Sequence, residues 1–150
     1  MSFKSLEISQ IDKKLGLFKN FEIPKEGWIK TIRKSLSMTY NVLARKNSMS
    51  PQVIKIFENN EINGSITLNT LKKIAASLNC RLVYAFAPDE SFEKMIDDRI
   101  NMIADTLVGK VSDTMMLESQ KPGDDVLKRQ RNELVHSLKS DYKKIWKYEI

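Results

Sequence analysis

A chain of 150 residues with 41% hydrophobic and 29% charged side chains, 5 glycines and 4 prolines has the make-up of one soluble domain with at most a small appendage; this excludes multidomain enzyme architectures, fibrous repeats and disorder. Its 25 Lys and Arg outnumber 19 Asp and Glu, a net charge of +6 that favours a polyanion such as nucleic acid as partner. The surplus is local: residues 1–86 hold 14 basic and 6 acidic side chains, net +8, whereas residues 87–150 hold 11 and 13, net −2.

In chain order, Leu6, Ile11, Leu15 and Phe18 recur at helical spacing, which predicts an N-terminal amphipathic helix ended by Pro24 and Gly27. Trp28, Ile29, Ile32 and Leu36 form the apolar stripe of a second helix that ends near Ser37, with Lys30, Arg33 and Lys34 expected in solvent. Thr39 is an N-cap for a third, running to Lys46. Ser50 followed by Pro51 starts a fourth, because the N–H that proline lacks has no partner at a first helical position. Val53, Ile54 and Phe57 point inward from it, and it is expected to end near Asn59 and Asn60, with Ile62-Asn63-Gly64 as a turn. Thr67 caps a fifth helix with Leu68, Leu71, Ile74, Ala75 and Leu78 inward.

Cys80 to Ala87 is β-branched and aromatic and is closed by Pro88, so it is expected as one short strand. A lone strand needs a partner; the chain offers no second strand, so the same strand of another subunit is expected, hence a homodimer. Ser91 then caps a long helix reaching about Glu118, and after Lys121-Pro122-Gly123 a last helix carries Leu127, Leu134, Leu138, Tyr142 and Ile145 on one face.

Two helices joined by a tight turn within about twenty residues place the second helix for the DNA major groove. Residues 38–60 resemble the phage-repressor-like, Cro/C1 or XRE-type, helix-turn-helix family in Thr39, Leu43-Ala44, Met49-Ser50, Ile54 and Phe57-Glu58, followed by Thr67-Leu68, Leu71, Ile74-Ala75 and Leu78. Tyr40 stands where that family usually has Gln, and Asn47-Ser48 where it has an aliphatic residue and Gly. With Ile54 and Phe57 inward, helical geometry turns Pro51, Gln52, Lys55, Ile56 and Asn59 outward or along the seam. Gln52 then suits adenine, Lys55 guanine or a phosphate, and Ile56 a thymine methyl. Thr39, Tyr40 and Asn60 are expected at phosphates, assisted by backbone N–H groups at the helix starts, Ser50 included.

A wider resemblance joins Gly27-Trp28-Ile29-Lys30-Thr31-Ile32-Arg33, Gly64 to Leu68, Asn79 to Ala85 and Thr114 to Gln120: these look like mobile mystery protein A, a bacterial family carried on mobile elements and encoded beside a Fic-domain protein. The resemblance implies the autoregulating antitoxin of a toxin–antitoxin pair. Proteins that silence Fic enzymes commonly present Ser/Thr, three residues, then Glu with Gly or Asn; Thr114 and Glu118 share that spacing, with Ser119 in the last place, and are the candidate partner-binding residues.

Other chemistry is sparse. The single Cys80 leaves no internal disulfide or cysteine-based zinc site, and His136, the only histidine, has no partners for a triad or a metal. No phosphate-cradling glycine motif occurs, so no cofactor, metal or catalytic residue is expected. No apolar run has the length of a signal peptide or membrane span, so a cytoplasmic protein is expected.

The expected fold is therefore all-α: an N-terminal arm at 1–24, a helix-turn-helix domain with one strand at 25–88, and a helical dimerisation or partner-binding region at 89–150. The expected function is a sequence-specific DNA-binding regulator acting as a dimer on a double-stranded operator and serving as antitoxin to a Fic-domain toxin. The alternatives are a Fic inhibitor whose DNA binding is secondary, and a mobile-element repressor without a toxin.

Overall fold

Thr39, Ser50, Thr67 and Ser91 are each followed by a helix in the computed structural model, which describes residues 3–118 and 122–149. The helices are α1 (Phe3–Leu15), α2 (Trp28–Ser35), α3 (Tyr40–Lys46), α4 (Pro51–Asn63), α5 (Leu68–Ser77), α6 (Phe92–Leu117) and α7 (Asp124–Ser140), with 3-10 turns at Gly16–Phe18 and Lys144–Lys147. The fold is all-α, as the periodicity predicts. Thr39, Thr67 and Ser91 accept hydrogen bonds from the N–H groups of Val42 (3.3 Å), Thr70 (3.1 Å) and Lys94 (3.1 Å). Such caps stabilise a helix by about 1 kcal/mol each. Ser50 has N-cap dihedrals but makes no capping bond, so α4 begins on Pro51 alone.

The chain forms two units, Asn20–Ala85 and Met1–Lys19 with Phe86–Ile150. In the first, Ile29 of α2, Leu43 and Ala44 of α3, Ile54 of α4, and Ile74 and Leu78 around α5 form a closed core. Phe57 and Leu71 pack on its margin. Here α4 is longer than its sequence pattern suggests. It continues through Asn63 to Gly64 in the left-handed region (φ 72°), and the Asn60 carbonyl accepts from Ser65 N–H and Ile66 N–H. The Asn59-Asn60 pair thus lies inside the helix, because the closing residue is the glycine four positions later, which adopts that conformation without a steric penalty.

The expected strand at Cys80–Ala87 is not formed: among the described residues there is no strand, and residues 80–88 have neither helix, turn nor bend. No segment among the described residues pairs with it, and β propensity without a ladder does not make a strand.

In the second unit α6 and α7 pack antiparallel, with Ile96, Ile100, Ile103, Leu138 and Ile145 as core and Ile8 of α1 against it. Asp97 pairs with Lys139 (2.9 Å) and Asp105 with Arg131 (2.6 Å), two rungs that show the direction of the helices. α1 belongs to this unit rather than standing apart as an arm: Asp12 accepts from the Phe92 and Glu93 N–H groups at the start of α6 (2.8 and 2.9 Å). The inward seam of α1 is therefore Ile8 and Asp12, while Leu6 and Ile11 of the expected stripe are exposed. Ile145 reaches the core by a different route from the expected continuous last helix: α7 stops at Ser140, Asp141 is extended, and the 3-10 turn carries Ile145 inward. Arg99 holds that turn by donating to the carbonyls of Ile145 (3.0 Å) and Tyr148 (2.8 Å).

Candidate nucleic-acid interface

The turn between α3 and α4 is set by three backbone bonds: Asn47 and Met49 N–H donate to the Ala44 carbonyl, and Ser48 N–H to that of Arg45. Ser48 sits at φ 54°, the left-handed position for which glycine is the low-cost residue. Asn47 compensates for its unusual place in the turn, since its side-chain amide donates to the Leu43 carbonyl and to Ser77 Oγ of α5, both at 2.9 Å. Ala44 is buried at the α3–α4 contact, where a larger side chain would force the helices apart.

Behind this turn lies an ion pair that the apolar pattern hides. Arg33 Nε and Nη2 donate to Glu58 Oε1 (2.6 Å) and Oε2 (3.2 Å), a bidentate fork with the two side chains only 8% and 3% exposed. The Tyr40 hydroxyl donates to Glu58 Oε2 (3.1 Å), Arg33 Nη1 donates to the Met38 carbonyl (3.1 Å), and the guanidinium stacks 4.0 Å over the Tyr40 ring. The hydrogen bond to Glu58 raises the Arg33 pKa above its ordinary value. One cluster thereby fixes α2, the start of α3 and the middle of α4. It corrects two expectations: Arg33 is buried rather than solvated, and Tyr40, expected at a phosphate, has its single hydroxyl proton committed to Glu58. The helical positions alone place Arg33 among surface lysines; only its juxtaposition with Glu58, 25 residues on, reveals its role.

A second carboxylate on α4 orients α2. Glu61 accepts from Trp28 N–H (2.7 Å) and Ile29 N–H (2.9 Å), two of the donors left open at a helix start. Gly27 makes room: it has φ 77°, and a Cβ there would come 2.7 Å from the Glu61 carboxylate.

With Ile54 and Glu58 buried and Val53 and Phe57 half-buried, the opposite side of α4 presents Gln52, Lys55, Ile56 and Asn59, all exposed. Their three- and four-residue spacings make one face. Ile56 is 52% exposed, an apolar side chain that this unit's core does not use. Pro51 is half-buried at the helix start, Ser50 and Thr39 are exposed at the two N-caps, and Asn60 is half-buried beside the C-terminal turn. Asn60 is nine positions after Pro51, so at about 1.5 Å per residue it lies about 14 Å along the axis from the helix start.

Charge adds to this face. Residues 20–85 carry 10 basic and 4 acidic side chains. Three of the acids face inward partners or lysines: Glu58 and Glu61 as above, and Glu26, whose pKa is lowered by hydrogen bonds from Lys30 and Lys34 (2.7 and 3.1 Å). Arg45 and Lys46 at the end of α3, Lys55 on α4, and Lys72 and Lys73 on α5 are exposed and, among the described residues, make no ion pair. The outward face of α4 does not point to Arg45, Lys46, Lys72 and Lys73; the signal in the sequence that finds them is the charge count taken unit by unit.

In the other unit Thr114 and Glu118 are exposed, with Thr114 Oγ1 donating back to the Lys110 carbonyl (2.9 Å) and Glu118 ending α6; Ser119 lies outside the described residues. His136 is exposed on α7, and no helix of the described residues is long and apolar enough to cross a membrane.

No curated protein and no solved structure matches the chain. Residues 29–83 match the family described as the Cro/C1-type HTH DNA-binding domain, so the unit built from α2 to α5 is a helix-turn-helix DNA-binding domain of that type, carried within a longer chain.

Proposed function

We propose that the chain is a sequence-specific transcriptional regulator that binds a palindromic operator as a homodimer, with α4 in the major groove. The observation that carries this reading is the exposed face Gln52, Lys55, Ile56 and Asn59 on the second helix of the DNA-binding domain, in a unit where 10 basic side chains stand against 4 acidic ones and Glu58, Glu61 and Glu26 are already engaged. Gln52 pairs with adenine, Lys55 with guanine, and Ile56 meets a thymine methyl. Thr39, Ser50 and Pro51 bring the starts of α3 and α4 to phosphates, with Asn60 at the far end; Tyr40 acts by positioning Arg33 and Glu58. Gel shifts with the DNA upstream of its own gene, over a salt series, test the reading: affinity falls linearly in log–log form as salt rises. No shift at low salt refutes it.

The finer role is that of an autoregulating antitoxin to a Fic-domain protein, supported by the resemblance of the sequence to mobile mystery protein A and by the exposure of Thr114 and Glu118. Co-expression with the neighbouring gene product tests it; a Fic-domain neighbour that neither binds the chain nor loses activity removes the antitoxin role and leaves the regulator.

A further inference from the structure

Residues 81–87, Arg-Leu-Val-Tyr-Ala-Phe-Ala, leave all their backbone groups unused within the described chain: none of their N–H or C=O groups takes part in a hydrogen bond after Cys80 N–H closes on the Ala75 carbonyl. The segment has no turn or bend and no residue at positive φ. Val83, Tyr84 and Phe86 are 59%, 66% and 80% exposed, although β-branched and aromatic residues are the ones that gain most from a ladder. Pro88, which has no N–H to give, ends it.

We infer that this segment is the contact through which two copies of the chain pair, as an antiparallel two-stranded ribbon centred on Tyr84. The inference rests on the dimeric operator-binding reading and names its surface. A segment paired antiparallel with itself has a two-fold axis, the symmetry that a palindromic operator requires. Only Arg81 is charged, and antiparallel pairing sets it against Ala87, so no like charges meet. The register follows from side-chain alternation. Leu82, Tyr84 and Phe86 share one face and Arg81, Val83, Ala85 and Ala87 the other. Setting Tyr84 opposite its own copy places Leu82 against Phe86 on the apolar face and uses the whole run from 81 to 87; a slip of one residue mixes the faces. The segment directly follows α5, so the ribbon joins the two DNA-binding units next to their last helix.

The test uses the full chain with Cys80→Ser to remove the native thiol. Directly opposed residues have Cα atoms about 4.5–5.5 Å apart, within the disulfide range. Tyr84→Cys therefore gives a covalent dimer under mild oxidation. Phe86→Cys, about 13 Å from its copy in this register, does not. Val83→Pro, which removes no hydrogen bond among the described residues of one chain, halves the solution mass from twice 17.3 kDa to that of one chain. The ribbon is overturned, with the dimeric reading intact, if a dimer persists in Val83→Pro and Tyr84→Cys fails to cross-link. A chain that is monomeric both free and on DNA overturns the ribbon together with the dimer on which it rests.

Discussion

Glu58→Ala tests whether the buried Arg33 cluster organises the DNA-binding unit. The substitution removes the acceptor of three hydrogen bonds and leaves the Arg33 side chain, only 8% exposed, with the Met38 carbonyl as its remaining hydrogen-bond acceptor and the Tyr40 ring beneath it. Breaking a buried pair by deleting one side costs about 3–5 kcal/mol, since the surviving charge is neither paired nor hydrated. Set against a domain stability of about 5–15 kcal/mol, this is a large fraction. With a urea slope near 1 kcal/mol/M for so small a unit, the midpoint falls by about 3 M or more. The chain has two tryptophans, Trp28 and Trp146, one in each unit. In a Trp146→Phe background, fluorescence reports on the DNA-binding unit alone. Removing both charges with Arg33→Met and Glu58→Leu recovers most of the loss, because the desolvation cost goes with them. A loss below about 1 kcal/mol in Glu58→Ala would refute the reasoning, since it would mean that Arg33 finds water as readily as Glu58.

Four further outcomes are expected. Gln52→Ala with Lys55→Ala abolishes operator preference while leaving weak, salt-sensitive binding, each lost base contact being worth about 1–3 kcal/mol; unchanged discrimination in competition gel shifts would place base reading elsewhere. Gly27→Ala destabilises by more than the roughly 1 kcal/mol of a positive-φ penalty, because the Glu61 carboxylate, 2.7 Å from the new Cβ, must withdraw and give up its hydrogen bonds from Trp28 and Ile29 N–H; calorimetry showing no loss would refute that packing. Ser48→Gly stabilises by about 0.5–1 kcal/mol in the same assay, as it relieves φ 54° in the turn, and a loss would show that the serine makes a compensating contact. Asp105 has its pKa lowered below 3.8 by the hydrogen bond from Arg131. Its contribution is therefore fully present above that value and lost as pH falls through the lowered folded-state pKa. The pair is exposed, so the effect is small and Asp105→Asn flattens it; an unchanged acid limb in Asp105→Asn removes this assignment.

Helix existence and most helix starts were legible in the sequence because they are local: a Thr or Ser cap, a proline at the first position and a three- or four-residue apolar repeat act within one or two turns. The exposed α4 face was legible for the same reason, as Ile54 and Phe57 fix which side of a helix looks inward. Helix ends were less so. Asn59-Asn60 reads as a stop, yet Gly64 closes α4, and Tyr142 and Ile145 continue a helical pattern that Asp141 interrupts.

The sequence by itself determined the all-α class, the order of the helices, the position of the helix-turn-helix and the uneven spread of charge. The tertiary structure decided which polar groups turn inward. Arg33 meets Glu58, Glu61 reaches the start of α2, Asp12 caps α6, and Arg99 holds the last turn. These contacts span 25 to 80 residues of chain, and a carboxylate's own neighbours do not show whether it will face water, a lysine or a distant helix start. The structure also decided that Cys80–Ala87 finds no ladder partner among the described residues of its own chain, since a strand is defined by its partner.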